Sequence, residues 1–82
     1  IRESLIETLI PIILDEKRII NMSIYEQKDG KYIDMRLNIK SKFDNTYIPT
    51  KKGIRFHIDR LDDFIFRLTN LKKRLIKNVK SD

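Results

Sequence analysis

Aromatic and basic side chains recur together between residues 25 and 52 of this chain. They are Tyr25, Lys28, Lys31, Tyr32, Arg36, Lys40, Lys51 and Lys52. Lysine and arginine can follow the phosphates of a nucleic acid, and tyrosine rings offer faces on which unpaired bases stack. Gly53 follows the lysine pair and indicates a turn with exposed backbone N–H groups. These residue types indicate binding of a polyanion whose bases are accessible.

Residues suited to bond chemistry are scarce. The chain has no cysteine and a single histidine, His57, which excludes disulfides, thiolate metal sites and two-histidine metal sites. Asp62 and Asp63 fit the first turn of a helix, where the dipole favours anions, better than a catalytic pair. The sequence contains no glycine-rich phosphate loop and no evident nucleophile with a neighbouring base. We predict a binding protein and not an enzyme, without metal or cofactor.

The positive charge is unevenly distributed along the 82 residues. The formal net charge is +6, and residues 1–17 hold two basic and four acidic side chains, whereas residues 18–53 hold eight basic and four acidic ones. Such a basic surplus favours a polyanionic partner, either nucleic acid or an acidic membrane surface. No apolar stretch approaches the roughly 18 residues that a membrane span needs, so none is predicted.

Two amphipathic strands are predicted to position most of the candidate residues. Residues 19–26 and 32–40 alternate between apolar and polar side chains, and Asp29-Gly30 between them is typical of a two-residue hairpin turn. On the apolar, buried face this turn pairs Ile24 with Met35, Met22 with Leu37, and Ile20 with Ile39. On the polar face it pairs Tyr25 with Asp34, Ser23 with Arg36, and Asn21 with Asn38. The polar face also carries Tyr32 and Lys40, with Lys28 and Lys31 at its rim.

The remaining segments complete an α+β fold. Residues 4–10 have the apolar spacing of a short helix that Pro11 ends or kinks, and residues 12–14 fit either a continued helix or an extended segment. Residues 46–50 and 54–58 indicate two more strands around a turn, and a long amphipathic helix follows, with Asp59 as its N-cap. We predict a four-stranded antiparallel sheet, a long C-terminal helix and an extra short N-terminal helix. Residues 1–17 would be a helical extension and residues 18–80 the binding domain.

Two motifs in the predicted sheet resemble the positive cofactor 4 family of transcriptional coactivators. They are YIDMR at residues 32–36 and, ten residues later, YIPTKKGI at residues 47–54. The resemblance covers roughly residues 18–71. It implies a homodimer whose curved sheets bind single-stranded or melted DNA, and the Whirly and Pur families have a related fold. By position it implies that Lys31, Arg36, Lys51 and Lys52 contact the nucleic acid.

One position departs from the family. Three residues after the strand arginine the family commonly has an aromatic residue that stacks on a base, and this chain has Ile39. One such stack is worth about 1–3 kcal/mol. Tyr25 is the nearest aromatic residue to the first hairpin turn, and Phe43 and Tyr47 are further candidates to replace the ring. His57 is expected to be a structural strand residue.

We therefore expect a homodimer that binds single-stranded DNA or RNA with little sequence preference in transcription, replication or repair, alongside proteins of those processes. The alternative is a protein-interaction or membrane-surface module that uses the apolar N-terminal helix and the basic end of the last helix. The acidic N-terminal segment favours the first interpretation. The first residue is Ile rather than Met, which suggests a piece of a longer protein. With 15 isoleucines and no alanine, an AT-rich genome is indicated, such as that of a parasite or a large DNA virus. We expect an intracellular location, in a nucleus or in the host cell or virion.

Overall fold

The computed structural model describes residues 3–80 of the chain, and the side chains of residues 3–76. Five strands precede a 3₁₀ turn and one helix: β1 (Ser4–Thr8), β2 (Ile12–Asp15), β3 (Arg18–Gln27), β4 (Gly30–Lys40), β5 (Tyr47–His57), the turn Ile58–Arg60 and α1 (Leu61–Lys80). The paired strands are antiparallel. The predicted α+β class is confirmed, with a sheet followed by a C-terminal helix, but the sheet has five strands rather than four.

The N-terminal segment forms an edge of the sheet, and the predicted helix over residues 4–10 is wrong. β1 pairs with the second half of β3 and β2 with its first half. Between them the backbone N–H of Leu9 donates to the carbonyl oxygen of Met22 at 2.9 Å, and Pro11, which lacks an N–H, lies at the break. Apolar residues spaced for a helical stripe also fit this broken strand, which pairs the backbone groups along the β3 edge. Residues 12–14, for which the sequence allowed either conformation, are extended.

The hairpin of β3 and β4 is confirmed, but its predicted register is wrong by two residues. The loop is Lys28-Asp29, and the apolar pairs are Ile24 with Ile33, Met22 with Met35, and Ile20 with Leu37. Each face keeps its predicted residues, because side chains alternate with a period of two and a shift of two preserves the face. Gly30 has φ of 130°, and a Cβ there would lie 2.8 Å from Nε2 of His57. Because it pairs with Gln27, this glycine is the first residue of β4 rather than part of the loop.

A single long strand, β5, replaces the two strands predicted around residues 51–53. Arg36 pairs with Gly53 and Asn38 with Pro49, so Leu37 alone faces the three residues Thr50, Lys51 and Lys52. The hydroxyl of Thr50 donates to the carbonyl oxygen of Leu37 at 2.8 Å and anchors this bulge. We call residues 50–52 the lysine bulge. It projects both lysines from an edge strand without ending the strand.

The apolar face of the sheet is only partly covered. It carries Ile12, Ile20, Met22, Ile24, Ile33, Met35, Leu37, Ile39, Ile48, Ile54 and Phe56. α1 meets this face near its start, where the ring of Phe64 stacks on Phe56 with centroids 4.1 Å apart. Farther along α1, the apolar side chains Ile65, Leu68, Leu71, Leu75 and Ile76 are 45–60% exposed. Among residues 3–76, the one buried apolar side chain is Ile19, on the opposite face of the sheet.

The 3₁₀ turn connects β5 to α1. His57 caps the turn, because its Nδ1 accepts a hydrogen bond from the backbone N–H of Asp59 at 3.1 Å. Asp59 therefore lies inside the turn. The prediction that it is the N-cap of α1 is wrong. Asp62 and Asp63 lie in the first turn of α1, as predicted. Within residues 3–80, no helix is both long enough and apolar enough to cross a membrane.

Candidate nucleic-acid interface

The face of the sheet opposite the apolar one is polar, and we call it the polar face. β3, β4 and β5 place on it Tyr25, Tyr32, Asp34, Arg36, Lys40, Arg55 and His57. Four of the predicted site residues, Tyr25, Tyr32, Arg36 and Lys40, therefore share one surface. Since α1 meets the sheet through Phe56, which points to the apolar side, the helix leaves the polar face open.

The two tyrosines of the polar face lie directly opposite each other. Tyr25 pairs with Tyr32 in the observed register, whereas the predicted register placed it opposite Asp34. The Tyr32 hydroxyl donates to Oδ2 of Asp29 at 2.8 Å, and this bond raises the pKa of Tyr32. Its ring also stands edge-on to His57, with centroids 5.0 Å apart. Tyr32 thus fixes the hairpin loop, while Tyr25 has a different partner.

His57 braces the same loop from β5. Because its Nδ1 accepts from the backbone of Asp59, its Nε2 carries the proton of the neutral ring and donates to the carbonyl oxygen of Asp29, 3.1 Å away. Both ring nitrogens are therefore used in holding the backbone. This geometry agrees with the structural role expected for His57.

The partner of Tyr25 is Arg55, a residue that the sequence interpretation did not include in the site. The guanidinium carbon of Arg55 lies 4.4 Å from the centroid of the Tyr25 ring, a cation–π contact. Arg55 alternates with Ile54 and Phe56 in the sequence. That alternation was the available signal, since it places Arg55 on the polar side of its strand.

Asp34 links Arg55 to Arg36. Asp34 is buried, with its side chain 8% exposed, and Oδ1 accepts from Nη2 of Arg36 at 2.8 Å and from Nε of Arg55 at 3.3 Å. Burial alone would raise the pKa of Asp34, but the hydrogen bonds and charges of the two arginines outweigh it and hold that pKa below its ordinary value. The carboxylate therefore fixes both guanidinium groups against the sheet.

Arg36 also contacts the lysine bulge. Its Nη1 donates to the carbonyl oxygen of Lys51 at 2.9 Å. A Cβ on Gly53 would lie 3.0 Å from the guanidinium carbon and would clash with the carbonyl oxygen of Met35, so glycine is needed where Arg36 crosses β5. Arg36 is thus committed to Asp34 and to the bulge, and it orients the lysines that the sequence grouped with it.

The N-terminal segment supplies the second acid of the polar face. Arg55 forms an ion pair with Glu3, through Nη1 and Oε1. The side-chain amide of Gln27 donates to the same oxygen of Glu3 at 2.9 Å. The centre of the polar face therefore contains two arginines and two carboxylates and carries no net charge.

Three of the five lysines of the candidate site, Lys28, Lys40 and Lys51, lie around this neutral centre, whereas Lys52 lines a cavity on the apolar side beside Ile20 and Met35. Lys28 is exposed in the hairpin loop, Lys40 is half-buried at the far end of β4, and Lys51 and Lys52 are exposed on the bulge. Lys31 pairs with Glu26 and lies on the apolar side of the sheet, so it is not brought together with the others. None of these five lysines forms an ion pair with a residue between positions 3 and 76.

Two further aromatic residues were candidates to replace the ring missing at Ile39. The Tyr47 hydroxyl donates to the carbonyl oxygen of Glu16 at 2.9 Å, which ties the start of β5 to the loop before β3. Phe43 is 96% exposed in the loop between β4 and β5. Tyr47 is therefore engaged in the fold, whereas the Phe43 ring is accessible. Ile39 lies on the apolar face, away from both tyrosines of the hairpin.

Within the described part of the chain, no group of three or more histidine, aspartate or glutamate side chains is placed to hold a metal ion. The protein families, curated proteins and solved structures with which the chain was compared include no match to it. The resemblance to the positive cofactor 4 family thus remains a prediction that rests on the two motifs in β4 and β5.

Proposed function

We propose that this protein binds single-stranded DNA or RNA with little sequence preference through the polar face. The observation that carries the proposal is the open polar face itself, where Tyr25 and Tyr32 face each other between lysines at both ends of the strands. Stacked bases and bound phosphates need such a combination of rings and cations. The resemblance to single-strand-binding coactivators supports the same surface.

The preference for single strands follows from the geometry of the ligand. Bases in a duplex are stacked inside the helix and cannot lie on a protein ring without being unpaired, whereas bases of a single strand are free to do so. Lysine contacts with phosphate carry no sequence information. Binding through Lys28, Lys40 and the lysine bulge would therefore depend on salt and hardly on base identity.

We further propose that the active form is a homodimer. The apolar face of the sheet lies opposite the polar face, and α1, which meets the apolar face through Phe64, adds an exposed apolar stripe. A second copy of the chain has a matching apolar surface and can cover this side. Such burial would add much to the stability of a chain of this size. Dimerisation through this side leaves the polar faces of both copies available for one strand in transcription, replication or repair.

The alternative function depended on an N-terminal helix that the structure replaces with strands. A membrane-surface or docking module required an apolar N-terminal helix, and residues 4–8 and 12–15 are strands of the sheet. The single-strand interpretation does not use that helix. It is therefore the one that we retain.

The proposal is tested by titrating the protein with labelled single strands and with duplex of equal length at moderate salt. We expect tighter binding of single strands, and similar affinities for strands of different base composition. Fluorescence anisotropy measures both. Equal or tighter binding of the duplex would contradict the proposal.

A further inference from the structure

The ring of Tyr25 is already occupied in the unbound protein. The guanidinium of Arg55 lies over it at 4.4 Å, after crossing β4, whose residue Asp34 accepts from its Nε. A base cannot take that position on the ring while Arg55 stays there. Binding at Tyr25 therefore requires Arg55 either to move or to present its own planar group to the incoming strand.

Besides Asp34, the residue that holds Arg55 in this position is Glu3. Its carboxylate pairs with Nη1 of Arg55 and is itself held by the side-chain amide of Gln27. A carboxylate and a phosphate present oxygen atoms to a guanidinium in the same way, and arginine binds either one through paired N–H donors. Glu3 thus occupies the place on Arg55 that a backbone phosphate would take.

We propose that Arg55 is a nucleic-acid-binding residue that Glu3 blocks in the unbound protein, and that a phosphate of the bound strand displaces the Glu3 carboxylate. This inference rests on the proposed function. It adds a binding residue that lies outside the predicted site, and it gives the acidic N-terminal segment a role as a competitor for the strand.

The exchange disturbs the fold very little. Glu3 precedes the first paired residue, Ser4, so its release breaks no backbone hydrogen bond of β1. Asp34 keeps its shorter bond, to Arg36 at 2.8 Å, if Arg55 shifts away. The side chains of Glu3 and Arg55 are each about one-third exposed, which allows a phosphate to approach them from solvent.

The test compares two glutamine substitutions that remove the same charge from the same edge of the sheet. Glu3→Gln removes the competitor, whereas Glu7→Gln is the control, because Glu7 pairs with Ile24 and lies on the apolar side. We expect Glu3→Gln to tighten binding of a single-stranded oligonucleotide about two- to fivefold, the factor that corresponds to an exposed ion pair. Glu7→Gln should produce a smaller change.

A double-mutant cycle separates release of Arg55 from the general effect of removing a negative charge. In an Arg55→Ala background, Glu3→Gln should no longer tighten binding, because the residue that it frees is absent. Arg55→Gln, which keeps a donor for Asp34, replaces the alanine variant if thermal unfolding shows that the latter does not fold. Equal gains from Glu3→Gln with and without Arg55, or equal gains from Glu3→Gln and Glu7→Gln, would overturn the inference.

Together with the titration of single strands and duplex, the cycle distinguishes this inference from the proposed function. If the unmodified protein does not prefer single strands over duplex, the proposed function fails. If it does prefer them but Glu3 and Arg55 show no coupling, then only the role of Arg55 fails. Coupling together with single-strand preference supports both.

Discussion

Asp34 is the residue on which the geometry of the polar face most depends. It is the buried carboxylate between Arg36 and Arg55, and through Arg36 it also affects the lysine bulge. The sequence offers two acidic residues of the hairpin, Asp34 and Glu26, as candidate partners for Arg36. The choice depends on side-chain direction: Asp34 lies on the same face as Arg36, two positions away, whereas Glu26 lies opposite Lys31 on the other side of the sheet.

Replacing Asp34 with asparagine should destabilise the protein by about 1–3 kcal/mol, because two charged donors lose a charged acceptor in a buried site. Since the pKa of Asp34 is lowered in the folded state, its contribution is fully present above the ordinary aspartate pKa of about 4 and is lost as the pH falls through the lowered value. The difference in unfolding free energy between the two proteins should be constant from about pH 5 to pH 8 and shrink below about pH 4. Urea denaturation at several pH values and at one fixed protein concentration measures it.

Glu7→Gln is the control for that series, because Glu7 is exposed on the edge strand. Its effect on the unfolding free energy should lie within about 0.5 kcal/mol. An Asp34→Asn difference that is as large at pH 3 as at pH 7 would show that the ionised carboxylate does not stabilise the fold.

The lysine bulge is the element whose contribution to binding can be isolated most cleanly. Arg36 bonds to the backbone carbonyl of Lys51, so alanine at positions 51 and 52 keeps that anchor and the Thr50 hydrogen bond. The double variant should therefore fold normally and bind all single strands more weakly. The slope of log affinity against log salt should decrease in magnitude by about 0.7 for each phosphate that a lysine no longer neutralises.

The matched control for the bulge carries alanine at Arg60, in the 3₁₀ turn, and at Arg67, on α1. It removes the same charge from the helical part of the chain. Titrations over a range of salt concentrations compare the two double variants. A larger decrease in affinity from the helix pair than from the bulge pair would locate the binding surface elsewhere.

The sequence predicts the elements that local signals determine. It does not predict the features that depend on how the strands pair. The hairpin and the C-terminal helix follow from local signals, and the structure confirms both, although the loop is Lys28-Asp29 and Asp59 is not the N-cap of α1. The register of β3 and β4 does not follow, because apolar residues face apolar residues in both registers. The N-terminal segment was misread because Leu5, Ile6, Leu9 and Ile10 suit a helix in isolation, and only the neighbouring edge of β3 makes them a strand.

The candidate site was predictable where side-chain alternation determines it, but not where it depends on contacts between distant strands. Alternation correctly grouped Tyr25, Tyr32, Arg36 and Lys40 on one face. It did not find the Arg55–Tyr25 contact or the ion pair with Glu3, since these join residues that are 30 and 52 positions apart in the chain. Contacts of that kind depend on the order of strands across the sheet, which a single sequence does not specify.

For the whole molecule, the main expectation is a two-fold dimer in solution. Light scattering at tens of micromolar should give twice the mass of the 9.9 kDa chain. Leu68→Glu, which places a charge in the exposed apolar stripe of α1, should shift the mass toward the monomer and lower the melting temperature, because a buried unpaired charge is costly. Asn70→Glu introduces the same side chain on another side of the helix and should leave the dimer intact. A monomer mass for the unmodified protein would contradict the dimer.

The irregular outer edges of the sheet protect the protein from aggregation. One edge, β5, is interrupted by Pro49 and the lysine bulge, and the other is broken between β1 and β2. Neither edge therefore offers the long, flat row of backbone donors and acceptors on which fibrils grow strand by strand. Association through the apolar side can end at a closed pair instead of an open-ended polymer. If the protein binds single-stranded DNA or RNA as proposed, many copies can lie side by side along one nucleic-acid strand without pairing their β-sheets.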